Sequence, residues 1–201
     1  MQFILPTAVE PTARYGAVWE YKNIWSDHKE VVKEVEKEAS DPSKGFYFTP
    51  ATTVGGTWTG PRRNLLAPIT DIGEKGNEFA RNLHNRMGVT LETSLKSYAK
   101  HFQIGFGYQE PFSLLKYKGE TNDHYDAHYD GSPSSRRWIS GILYLNDDYQ
   151  GGELEFVHCN LKIKPKAGSL YLFPSGYTHA HIAHEVIKGT KYAIVTWVHD
   201  V

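Results

Sequence analysis

The sequence predicts a mainly β domain with supporting α-helices, a jelly roll (double-stranded β-helix) preceded by a helical and loop-rich half. Three observations carry this reading. After Pro111 the chain runs as short segments rich in β-branched and aromatic residues, FSLLKYKG, RWISGILYLN, GELEFV, NLKIK, GSLYLF and KYAIVTWVHD, separated by glycine, proline or charged turns. Before Pro111, helical periodicity alternates with glycine- and proline-rich stretches. A chain of 201 residues with 40% hydrophobic and 13% aromatic side chains is also long and apolar enough for one well-packed core. Residues 1–201 are therefore expected to form a single domain, with 1–110 as helical support and loops and 111–201 as the jelly-roll core.

Residues 1–25 read as an opening strand and a connecting turn, with Trp19, Tyr21 and Trp25 available for packing. A helix is expected from Asp27, because Asp27 and Glu30 have capping-box spacing, Val31, Val35 and Ala39 recur at every fourth position, and Asp41-Pro42 stops the run. Residues 43–75 read as loop-rich with short extended pieces, and within them Arg62-Arg63-Asn64 is either a solvated charge run or a contact for a substrate chain at a cleft rim. A second helix is expected over 77–87, with Phe79, Leu83 and Met87 in a stripe and Gly88 as its C-terminal stop. A third starts near Thr90 and carries Leu91, Leu95, Tyr98 and Phe102, and Gly105 and Gly107 close the helical half.

Twenty-two basic against twenty-three acidic residues leave a net charge of -1, which provides no general attraction to nucleic acid or to an anionic membrane. The only cysteine, Cys159, excludes an internal disulfide framework and suits a reducing compartment. MQFILPTAVEP has too short an apolar patch and no basic flank for a secretion signal, so the cytoplasm is the expected location.

Chemistry concentrates in residues 124–199. HYDAHYD contains His-x-Asp twice, as His124/Asp126 and His128/Asp130, and THAHIAHEVIKGTK adds His179, His181, His184 and Lys191. Residues two apart on a strand point the same way, so His-x-Asp can bite one ion. Two imidazoles and one carboxylate leave positions open for substrate and dioxygen, as mononuclear non-haem iron chemistry requires, whereas structural zinc favours a closed set rich in cysteine. Composition alone yields roughly half a His-x-Asp by chance, so the triplet takes its weight from context.

That context resembles a known family. Tyr125-x-x-His128-x-Asp130, Tyr144-Leu145-Asn146, Gly151-Gly152-Glu153, Phe173-Pro174-Ser175, His181, Val186, Gly189 and Lys191 together resemble the prolyl 4-hydroxylase branch of the Fe(II)/2-oxoglutarate dioxygenases, over about residues 112–200. The resemblance implies a cupin-like barrel in which His128, Asp130 and His181 hold Fe(II): the family's tyrosine three residues before the first histidine is Tyr125, and its basic residue nine or ten positions after the last is Lys191. His124, His179 and His184 then become pocket or surface residues. Lys191 would bind the far carboxylate of 2-oxoglutarate, with Tyr144 and Tyr117 as further co-substrate contacts and Trp197 at the pocket wall. Dioxygen would be consumed, with ascorbate as reductant. A proline in a peptide or protein is the implied substrate. The alternatives are an oxygenase of a free amino acid, nucleobase or other small molecule, and a non-catalytic cupin-like binding domain.

Overall fold

The computed structural model describes residues 8–52, 61–132 and 135–201. Its elements, in chain order, are β1 (Ala13–Tyr15), β2 (Val18–Tyr21), α1 (His28–Ser40), β3 (Thr49–Pro50), β4 (Arg62–Arg63), β5 (Leu65–Ala67), α2 (Ile69–Glu74), α3 (Glu78–Phe102), β6 (Ser113–Lys118) and β7 (His124–His128). There follow β8 (Arg137–Tyr144), β9 (Gln150–Gly151), β10 (Leu154–Phe156), β11 (Leu161–Ile163), β12 (Ser169–Pro174), β13 (His181–Ala183), β14 (Val186–Lys188) and β15 (Thr190–His199). All strand pairings are antiparallel. The large sheet has the order β1-β2-β12-β8-β15-β6-β5-β3, the smaller β11-β10-β13-β7-β4, and β14 pairs with β9.

The central strands of the large sheet are buried on both faces, which is why their sequences read as nearly unbroken apolar runs. Leu143 of β8, Leu170 and Leu172 of β12 and Ile194 of β15 pack in one cluster with Val35 of α1 and with Leu83, Met87, Leu91 and Leu95 of α3. Their neighbours one residue along, Tyr144, Tyr171, Phe173 and Ala193, turn to the other face and pack with Leu154 and Phe156 of the smaller sheet. The period-2 alternation of strands thus separates a helix-facing core from a barrel interior, and the site lies in the interior.

The first helix occupies the expected span, but its start differs in detail. Asp27 makes no side-chain cap, because its carboxylate is drawn to Arg86, with Nη1 to Oδ2 at 2.7 Å. The two helices expected over 77–87 and from Thr90 are one, α3, capped by Asn77, whose side chain accepts from the Ala80 amide at 2.8 Å. Gly88 does not stop it. A stop would require a left-handed backbone there, whereas Leu83, Met87, Leu91 and Leu95 continue one buried stripe across the glycine, and their burial outweighs its cost of about 1 kcal/mol. The left-handed cap is Gln103, at φ 54°, so the helix ends ahead of Gly105 and Gly107. Within 43–75 the extended pieces are β3, β4 and β5, but Ile69–Glu74 is helical, and Gly73 allows its backbone to lie against α3, since a Cβ there would stand 2.9 Å from the Arg81 amide nitrogen.

Candidate active site

The register of β7 on β13 decides which histidines face the barrel interior. His181 lies opposite His128 and Ala183 opposite Tyr125, so two steps along β13 match three along β7, a β-bulge. Strict alternation would put His124, Asp126 and His128 on one face. The extra residue instead turns Tyr125 and His128 inward together, while His124 and Asp126 line a separate outward groove with Glu153, His184 and Glu185. The first His-x-Asp copy is therefore outside the interior cavity, as are His179 and His184; His184 bonds Glu155 at 2.7 Å.

Inside the barrel, His128, Asp130 and His181 bring one donor atom each to within 4.8 Å of one another. The His128 and His181 Nε2 atoms stand 3.7 and 3.8 Å from the Asp130 carboxylate oxygens. Each ring is held through its other nitrogen: Nδ1 of His128 bonds the Asp126 carbonyl at 2.7 Å and Nδ1 of His181 the His179 carbonyl at 3.1 Å. Nδ1 then carries the proton and the Nε2 lone pair is free for a metal. Burial, reinforced by the neighbouring His181, pushes His128 down to about 3, so the imidazole is neutral near pH 7. Burial alone would lift Asp130, but the His181 and His128 imidazoles and the Ser140 hydroxyl outweigh it and keep the carboxyl below its usual range. Two imidazoles held through Nδ1, with a carboxylate between them, are the donor chemistry of a divalent iron site.

Further side chains hold this set in place. Ser140 Oγ donates to Asp130 Oδ2 at 2.6 Å and shares a hydrogen bond with Ser175 Oγ at 2.8 Å. Arg137 donates to the Asp130 carbonyl at 3.4 Å; its guanidinium lies 3.7 Å over Trp197 and binds both Glu110 oxygens, at 2.6 and 2.7 Å. Tyr125 stacks on His128 with centroids 3.5 Å apart, and the Arg62 guanidinium lies 4.8 Å from the centre of the Tyr125 ring.

Lys191 lines the same cavity with 2% exposure. Its ammonium donates to the Gly152 carbonyl at 3.3 Å and sits 4.2 Å over the ring of Tyr117, its register partner across β6 and β15, and among the described residues no carboxylate lies within ion-pair distance of it. Burial first, then the Lys164 charge, pushes its pKa down to about 7, against a weaker pull from Glu153. Tyr117 and Tyr144 share this pocket; burial lifts the Tyr117 phenol to about 12 and that of Tyr144 higher still, so both remain O–H donors. A buried cation without a counter-charge, flanked by two hydroxyl donors, fits a small carboxylate ligand.

Residues 112–199 match the profile of the 2OG-Fe(II) oxygenase superfamily. Over those residues, which make up less than half of the chain, it is similar to that superfamily. The chain is 32% identical over 134 residues to probable prolyl 4-hydroxylase 9 of Arabidopsis thaliana, covering 52% of this chain and 46% of that one. It is 40% identical over 66 residues to human prolyl 3-hydroxylase 3, covering 30% of this chain and 9% of the relative. It thus spans less than half the length of these curated relatives. Among solved structures, a Trichoplax adhaerens prolyl hydroxylase in complex with a hypoxia inducible factor peptide fragment superposes with a TM-score of 0.69 at 18% identity, covering 92% of this chain and 84% of that one. A Pseudomonas putida prolyl-4-hydroxylase does so with 0.62 at 18% identity, covering 92% and 93%. These likenesses establish the jelly-roll fold of the superfamily.

All six residues singled out from the sequence, His128, Asp130, His181, Lys191, Tyr144 and Tyr117, line one cavity, and Trp197 joins them. Of the Arg62-Arg63 pair, only Arg62 enters it; Arg63 turns away to the Thr121 carbonyl at 2.9 Å. Sequence reasoning missed Ser140 and the Glu110–Arg137 pair that supports Trp197. Ser140 was detectable as a polar residue on the inward parity of an apolar strand, whereas the Glu110–Arg137 pair joins residues 27 apart and leaves no local pattern.

Proposed function

We propose that this chain is an Fe(II)- and 2-oxoglutarate-dependent dioxygenase that hydroxylates carbon 4 of a proline in a peptide or protein. The observation that carries it is the single cavity holding both the His128/Asp130/His181 donor set and the counter-charge-free ammonium of Lys191. When bound, ferrous iron and 2-oxoglutarate supply the oxidising power for inserting an oxygen atom from dioxygen into a C–H bond, with succinate and carbon dioxide as by-products. His128, Asp130 and His181 would hold the metal and leave its remaining positions to exchangeable ligands. Lys191, Tyr144 and Tyr117 would fix the far carboxylate of the co-substrate. Leu115, Ile142, Leu154 and Val195 line the same cavity and would keep water from the bound co-substrate. The names of the Arabidopsis and Trichoplax relatives support proline as the substrate, and the Arabidopsis name supports carbon 4.

The test is incubation of the purified protein with Fe(II), 2-oxoglutarate, ascorbate and proline-containing peptides. Succinate is measured, products are screened for gain of one oxygen atom, and hydrolysates are compared with 4-hydroxyproline and 3-hydroxyproline. Iron-dependent succinate and 4-hydroxyproline are expected. Absence of iron-dependent succinate would leave a non-catalytic binding domain, and efficient oxidation of a free amino acid or nucleoside without any peptide product would move the substrate to small molecules.

A further inference from the structure

The charge lining the active-site cavity is unbalanced at one residue. Its charged side chains are Asp130, Lys191 and Arg62. Asp130 belongs with the metal, and Lys191 with the co-substrate. Arg62 has no such partner. It donates to neutral oxygens, Nε to Asn64 Oδ1 at 2.7 Å and Nη1 to the Thr52 carbonyl at 3.5 Å, and its face rests on Tyr125. Every Asp and Glu of the chain lies among the described residues, and none comes within ion-pair distance of it.

With a divalent metal, one carboxylate ligand, a dianionic co-substrate and Lys191 in place, the summed charge is zero before Arg62 is counted. Arg62 leaves one positive charge facing the remaining space, one aromatic ring away from His128. Its Nε is fixed by Asn64 and its plane by Tyr125, so the far edge of the guanidinium is oriented in advance for a planar, two-oxygen acceptor. A side chain needed only for packing on Tyr125 would not require this charge at a half-buried position.

We propose that Arg62 is a specificity-determining residue that pairs with a carboxylate of the substrate, the side chain of an Asp or Glu adjacent to the proline that is oxidised. This rests on the peptidyl-proline reading above and narrows it to acidic peptides.

The test uses fluorescein-labelled Gly-Ala-Asp-Pro-Gly and Gly-Ala-Pro-Asp-Gly, blocked at both ends, with the corresponding Asn peptides. Binding is followed by fluorescence anisotropy under nitrogen, with Fe(II) and 2-oxoglutarate present, so that no turnover occurs. The wild-type protein is expected to bind at least one Asp peptide about tenfold or more tightly than its Asn counterpart, because a charge-assisted pair is lost in the latter. Arg62→Met should shrink that ratio to about twofold or less, Arg62→Lys should recover part of it, and added salt should erode it. Equal binding of Asp and Asn peptides by the wild-type protein overturns the proposal, and so does an Arg62→Met protein that loses affinity for both alike. Arg62→Lys serves the same comparison if the methionine variant fails to fold. If no peptide binds and free L-proline stimulates succinate formation, the peptide reading has failed. The comparison then moves to L-proline against L-prolinamide: preference for the carboxylate, lost in Arg62→Met, sustains the role of Arg62, and equal use of the two ends it.

Discussion

Replacing Lys191 by methionine should stabilise the protein while destroying its response to 2-oxoglutarate. The ammonium is 2% exposed and its pKa falls from 10.5 to about 7, burial being the main cause and the Lys164 charge the second. Each pKa unit corresponds to about 1.4 kcal/mol, so folding with this lysine costs roughly 4 kcal/mol at pH 7 and roughly 2 kcal/mol at pH 9. The sign follows from the lowered value. The unfolded chain holds the proton more tightly, so the penalty is full below pH 7 and disappears as pH rises towards the unfolded pKa. Methionine fills a similar volume without charge but forfeits the bond to the Gly152 carbonyl and the contact with Tyr117, at a cost of about 1 kcal/mol. A net gain of about 2–3 kcal/mol at pH 7 remains, which for a chain of this size raises Tm by about 5 °C or more. Thermal unfolding of both proteins at pH 7 and 9, with and without 2-oxoglutarate and Fe(II), reads all of this. The variant should melt higher without ligand, its advantage should shrink by pH 9, and 2-oxoglutarate should stabilise only the wild type. A variant no more stable than the wild type at pH 7, or one still stabilised by 2-oxoglutarate, would refute the argument from a buried cation awaiting its counter-charge.

Three other outcomes are expected. In Co(II) titrations, His128→Ala, Asp130→Ala and His181→Ala should each lose metal binding, whereas His124→Ala and Asp126→Ala should keep it; retention by Asp130→Ala with loss in Asp126→Ala would mean the wrong copy was chosen. Between pH 7 and 9 the affinity for 2-oxoglutarate should weaken by up to about tenfold per pH unit, because Lys191 must be protonated to pair with it while burial first, and then the Lys164 charge, press its proton off and Glu153 only partly compensates; a flat profile in calorimetry would separate the lysine from the co-substrate. Gly168→Ala should cost about 2 kcal/mol or more in urea unfolding, since Gly168 has φ +70° and an added Cβ would collide with the Trp25 carbonyl.

How much of this could be read from the sequence depended on whether the information was local. The strands of the second half were legible because both faces of the large sheet are buried, and the residues that meet in the cavity could be picked out because His-x-Asp, the later histidines and Lys191 keep a recognisable order. Spacing alone did not separate His124 from His128, since the bulge that turns one out and the other in arises from pairing with β13, more than fifty residues away. The same limit applies to Gly88, where the pattern contained a stop signal but the continuing burial of Leu91 and Leu95 overrode it. Asp27 was read as a cap because its competitor for the carboxylate, Arg86, is 59 residues further on.

The two-sided burial of the large sheet limits how this site can diversify. On β15 the cavity residues Lys191, Ala193, Val195 and Trp197 alternate with Tyr192, Ile194 and Val198, which are anchored in the helical core, and the Tyr192 hydroxyl is tied further to Glu36 of α1. Moving any cavity residue by a backbone shift would drag its neighbours through a close-packed interior, so this wall behaves as a fixed comb. Among the described residues the β4 side has no such anchor in the helical core: β4 is Arg62 and Arg63, paired to the bulged strand β7. New substrate preferences should therefore arise by exchange on the β4–β7 side, with His128, Asp130, His181 and Lys191 left in place, and a library confined to β4 should change which substrates bind before it changes whether 2-oxoglutarate does.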